Sequence, residues 1–172
     1  QLDGLNYGCC NPGTYMSNPM ESSFSVANSC SGCPGGRFGS IKNDDIMEVA
    51  CEQCPVGKSS PVGSSVQSSC EDCVAGKYLA ISETSALCEN CIAGKSSVAG
   101  SSDCDDCLAG QYSSAAGSLC ENCLAGKSGV AGSSSVTQCE NCVAGKYSTA
   151  GSPCQNCVVG KSSTLGSSDV SQ

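Results

Sequence analysis

The chain has 172 residues, no Trp, 4% aromatic residues and a formal net charge of −8, with a pI near 4.3. That acidity excludes the positive surface needed by nucleic-acid phosphates or anionic lipid, and no apolar run is long enough to span a bilayer. Eighteen cysteines with so few aromatic residues exclude an ordinary single-core domain; small units of this composition need cross-links or metal to offset chain entropy.

Residues 1–29 hold Tyr7, Tyr15, Phe24, Met16, Met20 and the adjacent Cys9 and Cys10. Asn11, Pro12 and Gly13, then Asn18 and Pro19, are turn signals. The segment reads as a capping half-module or as an assembly segment that docks on a neighbouring chain. A first residue Gln1 fits a mature terminus after leader removal.

From residue 30 onward the chain is a tandem array of about eight units, each opening on a C-x-x-C pair. Residues 30–38 read CSGCPGGRF and 51–59 read CEQCPVGKS. Between them, residues 39–50 (GSIKNDDIMEVA) carry Asp44, Asp45 and Glu48 and read as a solvated loop or one short helical turn. Six closer copies follow: CEDCVAGKY, CENCIAGKS, CDDCLAGQY, CENCLAGKS, CENCVAGKY and CQNCVVGKS. Each runs into a Ser/Gly-rich return. Residues 160–172 (GKSSTLGSSDVSQ) match the stretch before Cys139, so the next residue is expected to be cysteine, with further units beyond.

The ninth position alternates Phe38, Ser59, Tyr78, Ser96, Tyr112, Ser128, Tyr147, Ser162. If successive units rotate by about half a turn, the aromatics share a face, and Tyr78, Tyr112 and Tyr147 are candidate contact residues. The plainer readings are a two-unit duplication, or an aromatic covering its own unit's cross-link.

Three chemistries compete for the cysteines. Two successive C-x-x-C pairs approach a zinc-ribbon spacing, but there is no His and no four-ligand grouping. Redox C-x-x-C chemistry needs an electropositive setting, whereas the intervening residues include Asp105 and Asp106. Structural disulfides fit best, and with them an oxidising, extracellular or cell-surface compartment. The favoured connectivity is a sequential ladder: Cys33–Cys51, Cys54–Cys70, Cys73–Cys88, Cys91–Cys104, Cys107–Cys120, Cys123–Cys139 and Cys142–Cys154. Cys157 then awaits a cysteine beyond residue 172. Cys30 takes Cys10 or Cys9, leaving the other free or joined to a second chain. The alternative joins whole pairs, first to first and second to second.

Gly57, Gly76, Gly94, Gly110, Gly126, Gly145 and Gly160 each lie three residues after a second cysteine, where the chain must turn tightly. Lysines follow most of them and acids lie between the paired cysteines. The result is either a solvated face or a charge ladder that sets register between neighbouring rods.

The unit C-x-x-C-x-x-G-x-(Y/F)-S, matched by Cys73, Gly76 and Tyr78, by Cys107, Gly110 and Tyr112, and by Cys142, Gly145 and Tyr147, resembles the ephrin-receptor-like cysteine-rich repeat. It is also similar to the first submodule of tumour necrosis factor receptor domains. The resemblance covers residues 30–172. It implies small disulfide-rich repeats in an elongated linear rod of β-hairpin and loop modules, with little regular secondary structure. Similar arrays occur in surface and secreted proteins, some in hair-like flagellar appendages. This chain departs from receptors by the uniformity of its units.

No His supplies a base for a Ser nucleophile, and the glycines form no nucleotide-binding motif. The expectation is therefore no enzyme, no cofactor and no metal. The first functional reading is an extracellular structural protein whose repeat rod forms or decorates a filament, appendage or matrix by self-association or with related surface proteins. The second is the ligand-binding or adhesion ectodomain of a cell-surface receptor; a zinc-binding intracellular protein is a minor third. The Ser/Thr-rich returns are candidate O-glycan sites, and no N-x-S/T sequon is present.

Overall fold

The computed structural model describes residues 13–16, 30–41, 49–81 and 86–169. Cys9 and Cys10 lie outside them, as do residues 42–48, and for Cys30 only the backbone is described. Among the described residues there is no α-helix. Sixteen short strands form eight two-stranded sheets, each closed between strands consecutive in sequence. Strands of two to five residues with no third neighbour are marginal alone, so something other than sheet size holds them.

That something is sulfur. Among the described residues, seven disulfides join Cys33–Cys51, Cys54–Cys70, Cys73–Cys88, Cys91–Cys104, Cys107–Cys120, Cys123–Cys139 and Cys142–Cys154. The largest fully buried side chains are six second cysteines of the pairs, from Cys33 to Cys142, together with Ser113, Ser133 and Ser148. Each loop of 12 to 18 residues gains about 3 kcal/mol in the chain-entropy model. These are small disulfide-rich repeat modules, each a hairpin stapled to the next segment.

The chain divides into two compact units: Gln1–Cys73 with Leu79–Cys88, and Val74–Tyr78 with Glu89–Gln172. In the first, Thr14–Met16 pairs antiparallel with Cys30–Gly32, and the Cys33 amide donates to the Gly13 carbonyl at 2.7 Å. Gly13 has φ +87°, and the same bond recurs from Cys54 to Gly36 and from Cys73 to Gly57. The described part of residues 1–29 thus repeats the local hairpin of the array. Arg37–Ile41 pairs with Val49–Gln53 through Ile41 opposite Val49. Residues 39–41 and 49–50, expected as loop or helical turn, are therefore strand; the rest of that insertion lies outside the described residues. Among the described residues the apolar interior is two small clusters, Phe38 with Cys54 and Cys70, and Cys73 with Leu79, Ala86 and Cys88. Phe38 covers the following module's disulfide rather than its own.

In the second unit the hairpins are minimal. Lys95–Ser96 pairs with Asp105–Asp106, Gln111–Tyr112 with Glu121–Asn122, Lys127–Ser128 with Glu140–Asn141, and Lys146–Tyr147 with Gln155–Asn156. Their turns share one pattern. The Lys95 amide donates to the Ile92 carbonyl at 3.1 Å with Gly94 at φ +86°, and the Lys127 amide donates to Leu124 at 3.0 Å. A residue of positive φ third in a bonded four-residue turn is type II geometry, which is why Gly stands there. A 3₁₀ turn, Val136–Gln138, fills the longer return before Cys139. It is capped by Ser135, whose side chain accepts from the Thr137 amide, and by Gln138 reaching back.

Candidate functional site

The geometry that recurs most regularly in this chain lies at the junctions between modules. At each junction in the second unit, the turn glycine donates its amide to a serine or glycine carbonyl of the next module. Gly76 donates to Ser97, Gly94 to Ser113, Gly110 to Gly129, Gly126 to Ser148 and Gly145 to Ser163, all at 2.8 to 3.0 Å. Several of those serines return the bond. The hydroxyls of Ser97, Ser148 and Ser163 donate to the carbonyls of Lys77, Lys127 and Lys146 at 2.6 to 3.0 Å. In the first unit, Gly36, Ser60 and Arg37 make the same clasp. Buried polar groups must be paired, and among the described residues no buried side-chain N or O lacks a partner.

A second turn locks backward in the last four returns of the second unit. Gly132 has φ +75°, and its amide donates to the Cys107 carbonyl at 2.8 Å; Gly117, Gly151 and Gly166 do likewise to Cys91, Cys123 and Cys142. The Ser133 hydroxyl closes its own turn on the Val130 carbonyl at 2.6 Å. These return glycines and junction serines are the residues joining modules that sequence reading missed. Their signal was present as a recurring A-G-S in the returns, but Ser and Gly between cysteines read as generic loop.

The alternation at the ninth position has a structural counterpart. Tyr112 forms a parallel bridge with Ser133, and Tyr147 with Ser167. The amides of Ser113 and Ser148, next in chain, donate to those same serines at 3.1 and 3.2 Å. Tyr112 and Tyr147 are half-buried, and so is Tyr78. The Tyr112 hydroxyl donates to Glu121 at 2.8 Å, which holds the phenol protonated to higher pH than usual, with burial acting in the same direction. Lys95 is similarly held charged, first by its hydrogen bond to Asp106 and then by that carboxylate's charge, the two atoms being 2.9 Å apart. Lys58 pairs with Asp72 at 2.7 Å in the first unit.

Among the described residues no group of three or more His, Cys, Asp or Glu is placed to hold a metal ion, and no helix is long and apolar enough to cross a membrane. An open hollow of about 400 Å³ is lined by Ser128, Gly129, Val130, Thr137, Gln138, Glu140 and Cys154. Glu140 is the one titratable group in its wall, and it is exposed. Cys157 carries a half-buried thiol.

No protein-family model matches the chain, and no curated protein is significantly similar to it.

Proposed function

We propose that this chain is a non-enzymatic extracellular structural protein, a repeat of ephrin-receptor-like or tumour necrosis factor receptor-like character that forms or decorates a filament, appendage or matrix. The observation that carries this reading is the sameness of the junctions. The glycine-to-carbonyl bond and the cysteine-to-glycine bond recur from module to module with nearly the same lengths. A ligand-binding array needs at least one module whose loops depart from the rest, because recognition concentrates in a few residues. An array with one junction repeated propagates one geometry, which is what a building element requires.

The density of disulfides supports an oxidising compartment.

Immunogold electron microscopy of native material is the test. Label along filaments, appendages or matrix supports the reading. Label confined to a cell membrane, on isolated molecules, favours a receptor or adhesion ectodomain instead.

A further inference from the structure

The residue after each second cysteine in the second unit is Val74, Ile92, Leu108, Leu124, Val143 or Val158. Every one is exposed, from 58% for Val143 to 72% for Leu124. Each opens a type II turn, and the turn uses only its backbone carbonyl, as where the Gln111 amide donates to Leu108 at 2.9 Å. Any residue with a carbonyl would satisfy that bond. The fold therefore gives no reason for a large apolar side chain at every one of these corners, and a repeated exposed apolar residue points to a contact surface.

We propose that the partner at these corners is a second copy of this chain. The inference rests on the structural reading above and names its surface. Charge order around the corners argues for it. Glu89, Ile92 and Lys95 are spaced three residues apart, as are Glu121, Leu124 and Lys127, and Glu140, Val143 and Lys146. Acid, apolar and base in that order are self-complementary. When two corners meet about a two-fold axis, the acid of one copy faces the lysine of the other across the apolar contact. Lys127, Lys146 and Glu140 stand opposite the neutral Asn141, Asn156 and Ser128 in their hairpins and are available, whereas Lys95 is paired with Asp106 and Glu121 accepts from Tyr112. The repeat interval argues for the same partner. Weak contacts add into a stable one only when both surfaces share a spacing, and Ile92, Leu108 and Leu124 follow one another at equal intervals in the sequence, so that run reads the same in either direction about a two-fold axis.

The test is sedimentation equilibrium of the full chain over a range of concentrations. The comparison variant carries I92S, L108S, L124S and V143S, with non-reducing peptide maps and amide exchange confirming intact modules. The native chain is expected to associate, and the variant to bind about a hundredfold more weakly or worse. A second arm uses E121K/E140K and K127E/K146E. Each is expected to associate poorly alone and to recover when mixed with the other. A native chain that stays monomeric, a serine variant that associates like the native, or charge variants that never recover on mixing would overturn the proposal. The two readings fail separately. Immunogold label on filaments with an unaffected serine variant removes this surface and leaves the structural role. Association through these corners with label only on cell membranes does the reverse.

Discussion

The amide of Gly126 donates to the carbonyl of Ser148 at 2.8 Å, and the Ser148 hydroxyl donates to the neighbouring Lys127 carbonyl at 3.0 Å. One buried serine thus clasps two consecutive residues of the preceding module. Replacing Ser148 by Ala keeps the first bond and removes the second, leaving a part-buried carbonyl without that donor. The expected cost is about 1 kcal/mol. It should appear as faster amide exchange at Gly126 and along 146–152, with the Cys142–Cys154 bond unchanged in a peptide map.

The positive-φ glycines divide into two classes. A Cβ on Gly94 would overlap the carbonyl oxygen of Gly132, a residue of the module after next, whereas a Cβ on Gly132 itself would meet only ordinary contacts, the nearest at 3.5 Å from Asp106. Both have positive φ. Gly132→Ala is expected to cost about 1–2 kcal/mol, the left-handed penalty alone. Gly94→Ala adds backbone overlap, about 1–3 kcal/mol more. Denaturant titration of the two variants side by side reads the difference.

The cysteines are the interior, so removing one staple should unfold one module. Replacing both Cys123 and Cys139 by Ser opens a loop of sequence separation 16 and is expected to cost about 3 kcal/mol locally. Amides 124–138 should lose exchange protection while those of the Cys33–Cys51 hairpin keep theirs, since repeat modules depend on near neighbours. Full reduction should abolish protection throughout the described hairpins.

Tyr112 carries a pH signature. Its hydroxyl donates to Glu121, and the phenol pKa is raised above its ordinary value. The folded state therefore holds that proton more tightly than the unfolded chain does. The stabilisation is whole below the unfolded-state pKa and is lost as pH rises through the folded-state value. Tyrosinate absorbance, taken as the difference between the native chain and Tyr112→Phe, should show a midpoint above that of a free tyrosine. The effect is small because Glu121 is solvent-exposed, and Glu121→Gln should bring the midpoint down.

The modular character was legible from spacing. Cysteines at short, regular intervals and a glycine three residues after each second cysteine are local facts, and a hairpin turn beside a staple is decided locally. The strands at 39–41 and 49–50 were hidden by the charged residues between them, which read as loop. Phe38 was legible as an aromatic near a cross-link; that it covers Cys54 and Cys70 of the following module was not.

By itself, the amino-acid sequence determined that this protein consists of small cross-linked units, because the backbone turns are set by residues a few positions apart and the bridges by cysteines 12 to 18 positions apart. Tertiary structure alone decided what joins the units and what stays in water. The clasps run between residues such as Gly126 and Ser148, whose side chains carry no long-range signal, and they became visible only once the chain had folded back on itself. The same folding left Ile92, Leu108 and Leu124 exposed, although apolar residues in a sequence read as interior. A hairpin two residues wide has no room to bury them once sulfur fills its centre.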